Sequence, residues 1–123
     1  SLVTEVLVTG FEELLNGVQA KLAPKPDGKV QAFHKTLFDD LAEFMTNFNS
    51  RNLVNDKDLA ALVNKANAIL TSVRGDKVQD KALVVKSSDQ LRDETRAKFA
   101  EIQEAIEKDI KPRLSRAFNF DLD

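Results

Sequence analysis

The sequence predicts an all-α protein that folds as an antiparallel four-helix bundle, supplemented by a fifth short helix or a docked C-terminal tail. In four separate segments, apolar residues recur every three or four positions, the spacing of one helix face. Turn-forming residues cluster between these segments at 24–28, 49–55 and 74–76, and each cluster is short enough to connect antiparallel neighbours. A length of 123 residues suits one core, so residues 1–123 are expected to form a single helical-bundle domain.

The composition is typical of a globular protein, with 42% hydrophobic and 31% charged residues. A net charge of −2 opposes dedicated nucleic-acid binding, because phosphate contacts need a basic surface. No apolar run approaches the roughly 20 residues that a transmembrane helix needs. The absence of cysteine excludes disulfides and zinc–thiolate sites. Together with a first residue other than methionine, it leaves the compartment open with a slight preference for secretion.

The first predicted helix covers residues 2–22, where apolar side chains fall along one broad face. An alternative start follows from Thr9-x-x-Glu12, which matches a capping box. Val3, Val6 and Val8 are β-branched and lower the helix propensity before that point. The alternative is therefore an extended arm from Leu2 to Thr9, followed by a shorter helix.

The second predicted helix covers residues 30–48, with Asp27 as its N-cap after a proline-rich turn. Its apolar residues form one face roughly 140° wide. The only histidine, His34, lies within that face. The members of the face are Val30, Phe33, Leu37, Phe38, Leu41, Phe44, Met45 and Phe48.

The third predicted helix has the strongest start signal. Asn55 is suited to the N-cap, Asp58 stands at the third helical position, and Val54 can pack against Leu59 as a hydrophobic staple. Apolar residues then follow at helical spacing as far as Val73, and Gly75 is suited to terminate the helix.

The fourth predicted helix runs from about residue 77 to residue 111. It is either broken near Ser87, where Ser87-x-x-Gln90 matches a capping box, or a single helix of about 35 residues. Pro112 is expected to end or kink it. Three i, i+4 pairs are predicted on its exposed face: Glu94–Lys98, Glu104–Lys108 and Glu107–Lys111. The following tail is expected to dock back through Leu114, Phe118, Phe120 and Leu122.

Chemistry-bearing motifs are missing from the sequence. One histidine and no cysteine leave little from which to build a nucleophilic triad or a metal centre. The four glycines are scattered and form no phosphate-binding loop. We therefore predict no catalytic residues, no metal ligands, no cofactor and no enzymatic activity.

The widths of the apolar faces suggest a function. Predicted helices 1 and 2 have faces about 140–180° wide, whereas helices 3 and 4 have faces of about 100–120°, near the minimum for packing. The extra apolar surface on predicted helices 1 and 2 predicts a non-catalytic protein that binds an apolar ligand such as a fatty acid or another lipid. Phe33, Leu37, Phe44 and Phe48 are the predicted lining, with His34 as the polar contact. The alternative is a protein–protein interaction or structural module, in which a partner or second copy buries the broad faces of helices 1 and 2.

Overall fold

Helices are the only regular secondary structure in the described part of the chain. The computed structural model describes residues 2–51 and 56–118, and within these ranges no strand occurs. A π-helical segment, Ile106–Ile110, joins the last two α-helices. The α-helices in chain order are α1 (Leu2–Leu22), α2 (Asp39–Arg51), α3 (Lys57–Ser72), α4 (Val78–Ser87), α5 (Asp89–Ala105) and α6 (Lys111–Phe118). The predicted all-α class is confirmed.

One cluster of buried apolar side chains joins these helices. α1 packs against α5 and α2, while α3 and α4 also pack against α5. α1 and α5 run antiparallel: Gln19 bonds to Gln103, while Glu12, earlier in α1, meets Lys111, later in the chain. The largest fully buried side chains are Phe11, Phe38, Phe99, Leu15, Leu22, Leu41, Met45, Leu59, Ile106, Ile110, Val63 and Val85.

Helix α1 begins at Leu2, so the alternative start at Thr9 is wrong. Thr4 and Val8 are buried on the same face as Phe11, and this burial outweighs the low helix propensity of β-branched residues.

Helix α2 begins at Asp39, nine residues later than the start predicted at residue 30. Asp27 is not its N-cap. The Asp27 carboxylate instead accepts the Lys29 N–H at 3.0 Å within a turn, where Gly28 adopts a φ of +83°. The helix also continues to Arg51, through residues predicted to form a turn.

Tertiary contacts explain the late start. The Gln31 side-chain amide donates to the carbonyls of Ala20 and Ala23, both at 2.7 Å. These carbonyls belong to the end of α1, where the helix itself offers no donor. Gln31 is held there, residues 31–34 have no regular secondary structure and residues 35–38 form a turn, and the burial of Phe33 and Phe38 fixes this segment against the core.

Helix α3 is capped by Asp56 and not by Asn55 as predicted. The Asp56 carboxylate accepts the N–H groups of Asp58 and Leu59, both at 3.1 Å. Val54 and Asn55, the other members of the predicted start signal, lie outside the described residues.

The predicted break near Ser87 is confirmed, and the alternative of one uninterrupted helix is wrong. Ser88 caps α5 by accepting the Leu91 N–H at 3.1 Å, one residue later than the predicted cap. Ser87 is the last residue of α4, and its hydroxyl donates to the carbonyl of Val84.

The helix does not end at Pro112. Proline has no N–H and its ring clashes with the carbonyl four residues earlier, so an α-turn cannot pass through it unchanged. The preceding turn is π-helical, with the Lys111 N–H donating to the carbonyl of Ile106. Leu114 then packs against the core as predicted for the tail, while the Phe118 side chain, Phe120 and Leu122 lie outside the description.

Arg113 links α6 to the start of α3. Its guanidinium lies 2.8 Å from one Asp56 carboxylate oxygen and 3.1 Å from the other. Burial of Asp56 raises its pKa, but the hydrogen bond from Leu59 and the charge of Arg113 favour the carboxylate more strongly. The net effect holds the pKa of Asp56 below its ordinary value of 3.8.

A carboxylate whose pKa is lower in the folded state stabilises the fold above its unfolded-state pKa, and this contribution is lost as the pH falls through the folded-state pKa. Asp56→Asn keeps a capping side chain but loses the charge. We expect it to lower the free energy of unfolding by about 1–2 kcal/mol at neutral pH. Urea unfolding should also show a weaker loss of stability below about pH 4 than the wild type shows. Asp58→Asn, at an exposed side chain 3.8 Å from Arg113, is the control and should have a small effect. An unchanged acid dependence in Asp56→Asn would contradict the assignment.

Candidate ligand-binding groove

A groove open to solvent runs between α1 and residues 32–41, and we call it the α1–α2 groove. Its volume is about 410 Å³. From α1 it is lined by Glu13, Leu14, Gly17, Val18 and Lys21, which follow one edge of the helix. Gly17 has no atom within 4 Å of the position that a Cβ would occupy, so this part of the α1 wall faces open space. Pockets of roughly 300–1,000 Å³ are typical of small-molecule sites.

The opposite wall contains three of the five residues that the sequence predicts as ligand contacts. Phe33, His34 and Leu37 all line the α1–α2 groove. Phe33 is buried, Leu37 is half-buried and His34 is exposed. They lie on the irregular segment and the turn that precede α2, so they do not share a helix with Phe44 and Phe48 as predicted.

Phe44 and Phe48 lie outside this groove, in a stack of rings between α1 and α2. The Phe44 ring is parallel to that of Phe11, with centroids 5.4 Å apart, and its centroid is 6.2 Å from that of Phe48. Stacking of this kind adds to the stabilisation that the buried area supplies. These two rings therefore fill space between helices.

Turn and aromatic contacts hold the segment that bears Phe33, His34 and Leu37. The Leu37 N–H donates to the His34 carbonyl at 3.0 Å, closing the turn. Phe33 carries the ammonium group of Lys86 over its ring, 5.8 Å from the centroid. The turn bond and the contact with Lys86 together position this wall of the groove.

Charged groups of both signs border the groove. Lys21 and His34 are the basic members, and Glu13 and Asp40 are the acidic ones. Glu13 and Lys21 are eight residues apart on α1, which corresponds to about 12 Å along the helix axis. Gln31 bonds to carbonyls near the end of α1, whereas Phe44 stacks on Phe11 earlier in the same helix, so residues 31–44 run antiparallel to α1. Asp40 therefore lies toward the Glu13 end of the groove and His34 toward the Lys21 end. The groove therefore has one basic and one acidic end.

A separate charged cluster lies on the face of α1 away from the groove. The Lys111 ammonium lies 3.1 Å from the Glu12 carboxylate and 3.0 Å from that of Glu107. A hydrogen bond shared with Glu107, followed by burial, raises the pKa of Glu12, against the opposing effect of Lys111. The contact joins α1 to the π-helical segment and has no part in the groove.

In comparisons with known proteins, the chain matches no protein-family model, no curated protein and no solved structure. Among residues 2–51 and 56–118, no group of three histidine, aspartate or glutamate side chains is arranged to hold a metal ion. Within the same ranges, no helix combines the length and the apolarity needed to cross a membrane.

The sequence did not identify the α1 wall. Gly17 and Lys21 are spaced i, i+4 beside the apolar face of α1, and that spacing marks a helix edge next to the core. This signal could have indicated Lys21 as a rim residue. Asp40 could not have been assigned to the rim from the sequence, because its position depends on α2 beginning at Asp39 and not at residue 30.

Proposed function

We propose that the α1–α2 groove binds a single-chain apolar ligand, such as a fatty acid or another lipid, without catalysis. The observation that carries the proposal is the convergence of Phe33, His34 and Leu37 on one open volume of about 410 Å³. We further propose that α1, α2, α3 and α5 pack as an antiparallel four-helix bundle within a single domain, with α4 as a fifth short helix. The groove then follows one seam of that bundle, a usual place for ligand sites.

The apolar part of the groove supplies the binding energy. Leu14, Val18, Phe33, Leu37 and Leu41 line it together, and each methylene of a ligand that they cover contributes up to about 0.8 kcal/mol. Because the groove is open on one side, an alkyl chain is only partly removed from water. The expected affinity is accordingly in the micromolar range, about −8 kcal/mol.

The charged ends orient the ligand. Lys21 and His34 provide donors for a carboxylate, while Glu13 and Asp40 repel the same group from the other end. A fatty acid would therefore lie along the groove with its carboxylate near Lys21.

Leu37→Asp should weaken binding of a long-chain fatty acid at least about tenfold, because it places a charge against the alkyl chain. The matched control is Leu83→Asp, at an exposed leucine on α4 outside the groove, which should bind like the wild type. Titration calorimetry measures both affinities, and native mass spectrometry of the extracted protein tests for a carried lipid. A wild type that carries no lipid and gains no thermal stability from added fatty acids would refute the proposal.

A second candidate function is protein–protein interaction through α1. Its support is independent of the groove: the first two turns of α1 expose Leu2, Val3 and Val6, with 73%, 49% and 62% of their surfaces accessible. Clustered exposed apolar side chains of this kind are typical of interaction sites.

A further inference from the structure

A second groove lies between α3 and α5, and we call it the α3–α5 groove. Leu62 and Ile69 of α3 face Ile102 of α5 across a volume of about 340 Å³. Leu62 and Ile102 are buried members of the core, so the groove opens directly onto it. On α5, Lys98 and Glu101 lie about 140–160° around the helix from Gln103, which contacts α1. The groove therefore faces away from α1.

The rim of the α3–α5 groove carries two lysines without ion pairs. Lys65 stands on the α3 wall and Lys98 on the α5 wall, with Glu101 as the one acidic residue of the lining. The predicted Glu94–Lys98 pair is not formed, and Glu94 instead accepts the Gln90 amide at 3.0 Å. In the described ranges neither lysine has an acidic partner. An apolar floor between two lysines is complementary to an apolar surface bordered by carboxylates.

The start of α1 is an apolar surface with carboxylates beside it. Leu2 and Val6 are one helical turn apart and form a ridge that points away from the core. Glu5 precedes Val6, and Glu13 follows Val6 about two turns later along the same side of α1. No basic residue of the described chain pairs with either glutamate. The ridge is thus apolar and acidic, whereas the groove is apolar and basic.

We propose that the first turns of α1 in one copy of this chain dock into the α3–α5 groove of a second copy. The Leu2–Val6 ridge enters the groove as ridges enter grooves between packed helices, and Glu5 and Glu13 approach Lys65 and Lys98. The two surfaces consist of different residues, so the contact is heterologous. Such a contact adds copies head to tail, into a closed ring or an open chain. The proposal rests on the second candidate function and does not depend on lipid binding.

Sedimentation of the full chain over a range of concentrations tests the proposal. The wild type should show an average mass that rises with concentration. Val6→Asp alters only the ridge and Lys98→Glu alters only the groove, and both positions are exposed, so the fold should survive. Each variant alone should lose at least about tenfold in association constant. Mixed in equal amounts, they should form a heterodimer that grows no further, because the mixture retains one intact ridge and one intact groove.

Val30→Asp, at an exposed valine outside both surfaces, is the control and should associate like the wild type. The proposal is overturned by a wild type that stays monomeric, by either variant associating like the wild type, or by a mixture that forms no heterodimer. Fatty-acid titration of the same variants separates the two proposals, since neither Val6 nor Lys98 lines the α1–α2 groove.

Discussion

Replacing Phe38 with alanine should lower the free energy of unfolding by about 3–5 kcal/mol. The Phe38 side chain is completely buried and its ring centroid lies 6.4 Å from that of Phe99 on α5. Its carbonyl also accepts the Ala42 N–H at 2.9 Å in the first turn of α2. Alanine would lose the transfer energy of the ring and leave a cavity between the start of α2 and α5. A loss of this size is a large part of the 5–15 kcal/mol that is usual for a small domain.

Urea unfolding followed by far-ultraviolet circular dichroism measures this effect. Leu83→Ala is the matched control, because it removes apolar atoms from a helix position that is 51% exposed. It should change stability by no more than about 0.5 kcal/mol. Comparable losses in both variants would mean that Phe38 is not a core residue. Phe38→Ala should also weaken fatty-acid binding, because Phe38 anchors the turn that carries Leu37.

Replacing Gly75 with alanine should lower the free energy of unfolding by about 2–4 kcal/mol. Gly75 has a φ of +130°, which side chains other than that of glycine rarely adopt. An added Cβ would lie 2.8 Å from the Asp80 Cβ and 3.1 Å from the backbone nitrogen of Lys81. Because the nearest atoms belong to the first turn of α4, relief of the clash requires that helix to move.

Gly17→Ala is the matched control and should have the opposite sign. Gly17 lies inside α1, and its Cβ would meet nothing within 4 Å. Alanine at a helix interior is favoured over glycine by about 0.5–1 kcal/mol, so this variant should be more stable than the wild type. Thermal unfolding of the two variants side by side tests the assignment. A neutral Gly75→Ala would show that the connection between α3 and α4 is not constrained as described.

Elements with a continuous apolar stripe and a local start signal were predicted well. The break at Ser87–Ser88 and the start of α3 were each placed within one or two residues. Two of the three predicted ion pairs, Glu104–Lys108 and Glu107–Lys111, are present. All of these depend on contacts within four residues along the chain, which a sequence pattern contains directly.

The start of α2 was predicted wrongly, and the candidate site is divided as a consequence. Helical spacing continues back to Phe33 in the sequence, but Phe33 is buried from a segment that is not helical. Apolar spacing indicates which residues are buried, but it does not show whether their backbone is helical. The predicted residues therefore separate into Phe33, His34 and Leu37 in the groove and Phe44 and Phe48 in the aromatic stack.

The sequence by itself determined the helical class, the end of α1 near Leu22 and the apolar character of Phe33 and Leu37, because periodicity and capping act over one or two helical turns. Only the tertiary structure decided where α2 begins, since Gln31 bonds to carbonyls at the end of α1. It also decided that Lys98 stands across the α3–α5 groove from Lys65 and that Lys21 borders the α1–α2 groove. Such relations join residues from different helices, and no spacing along a single chain encodes them.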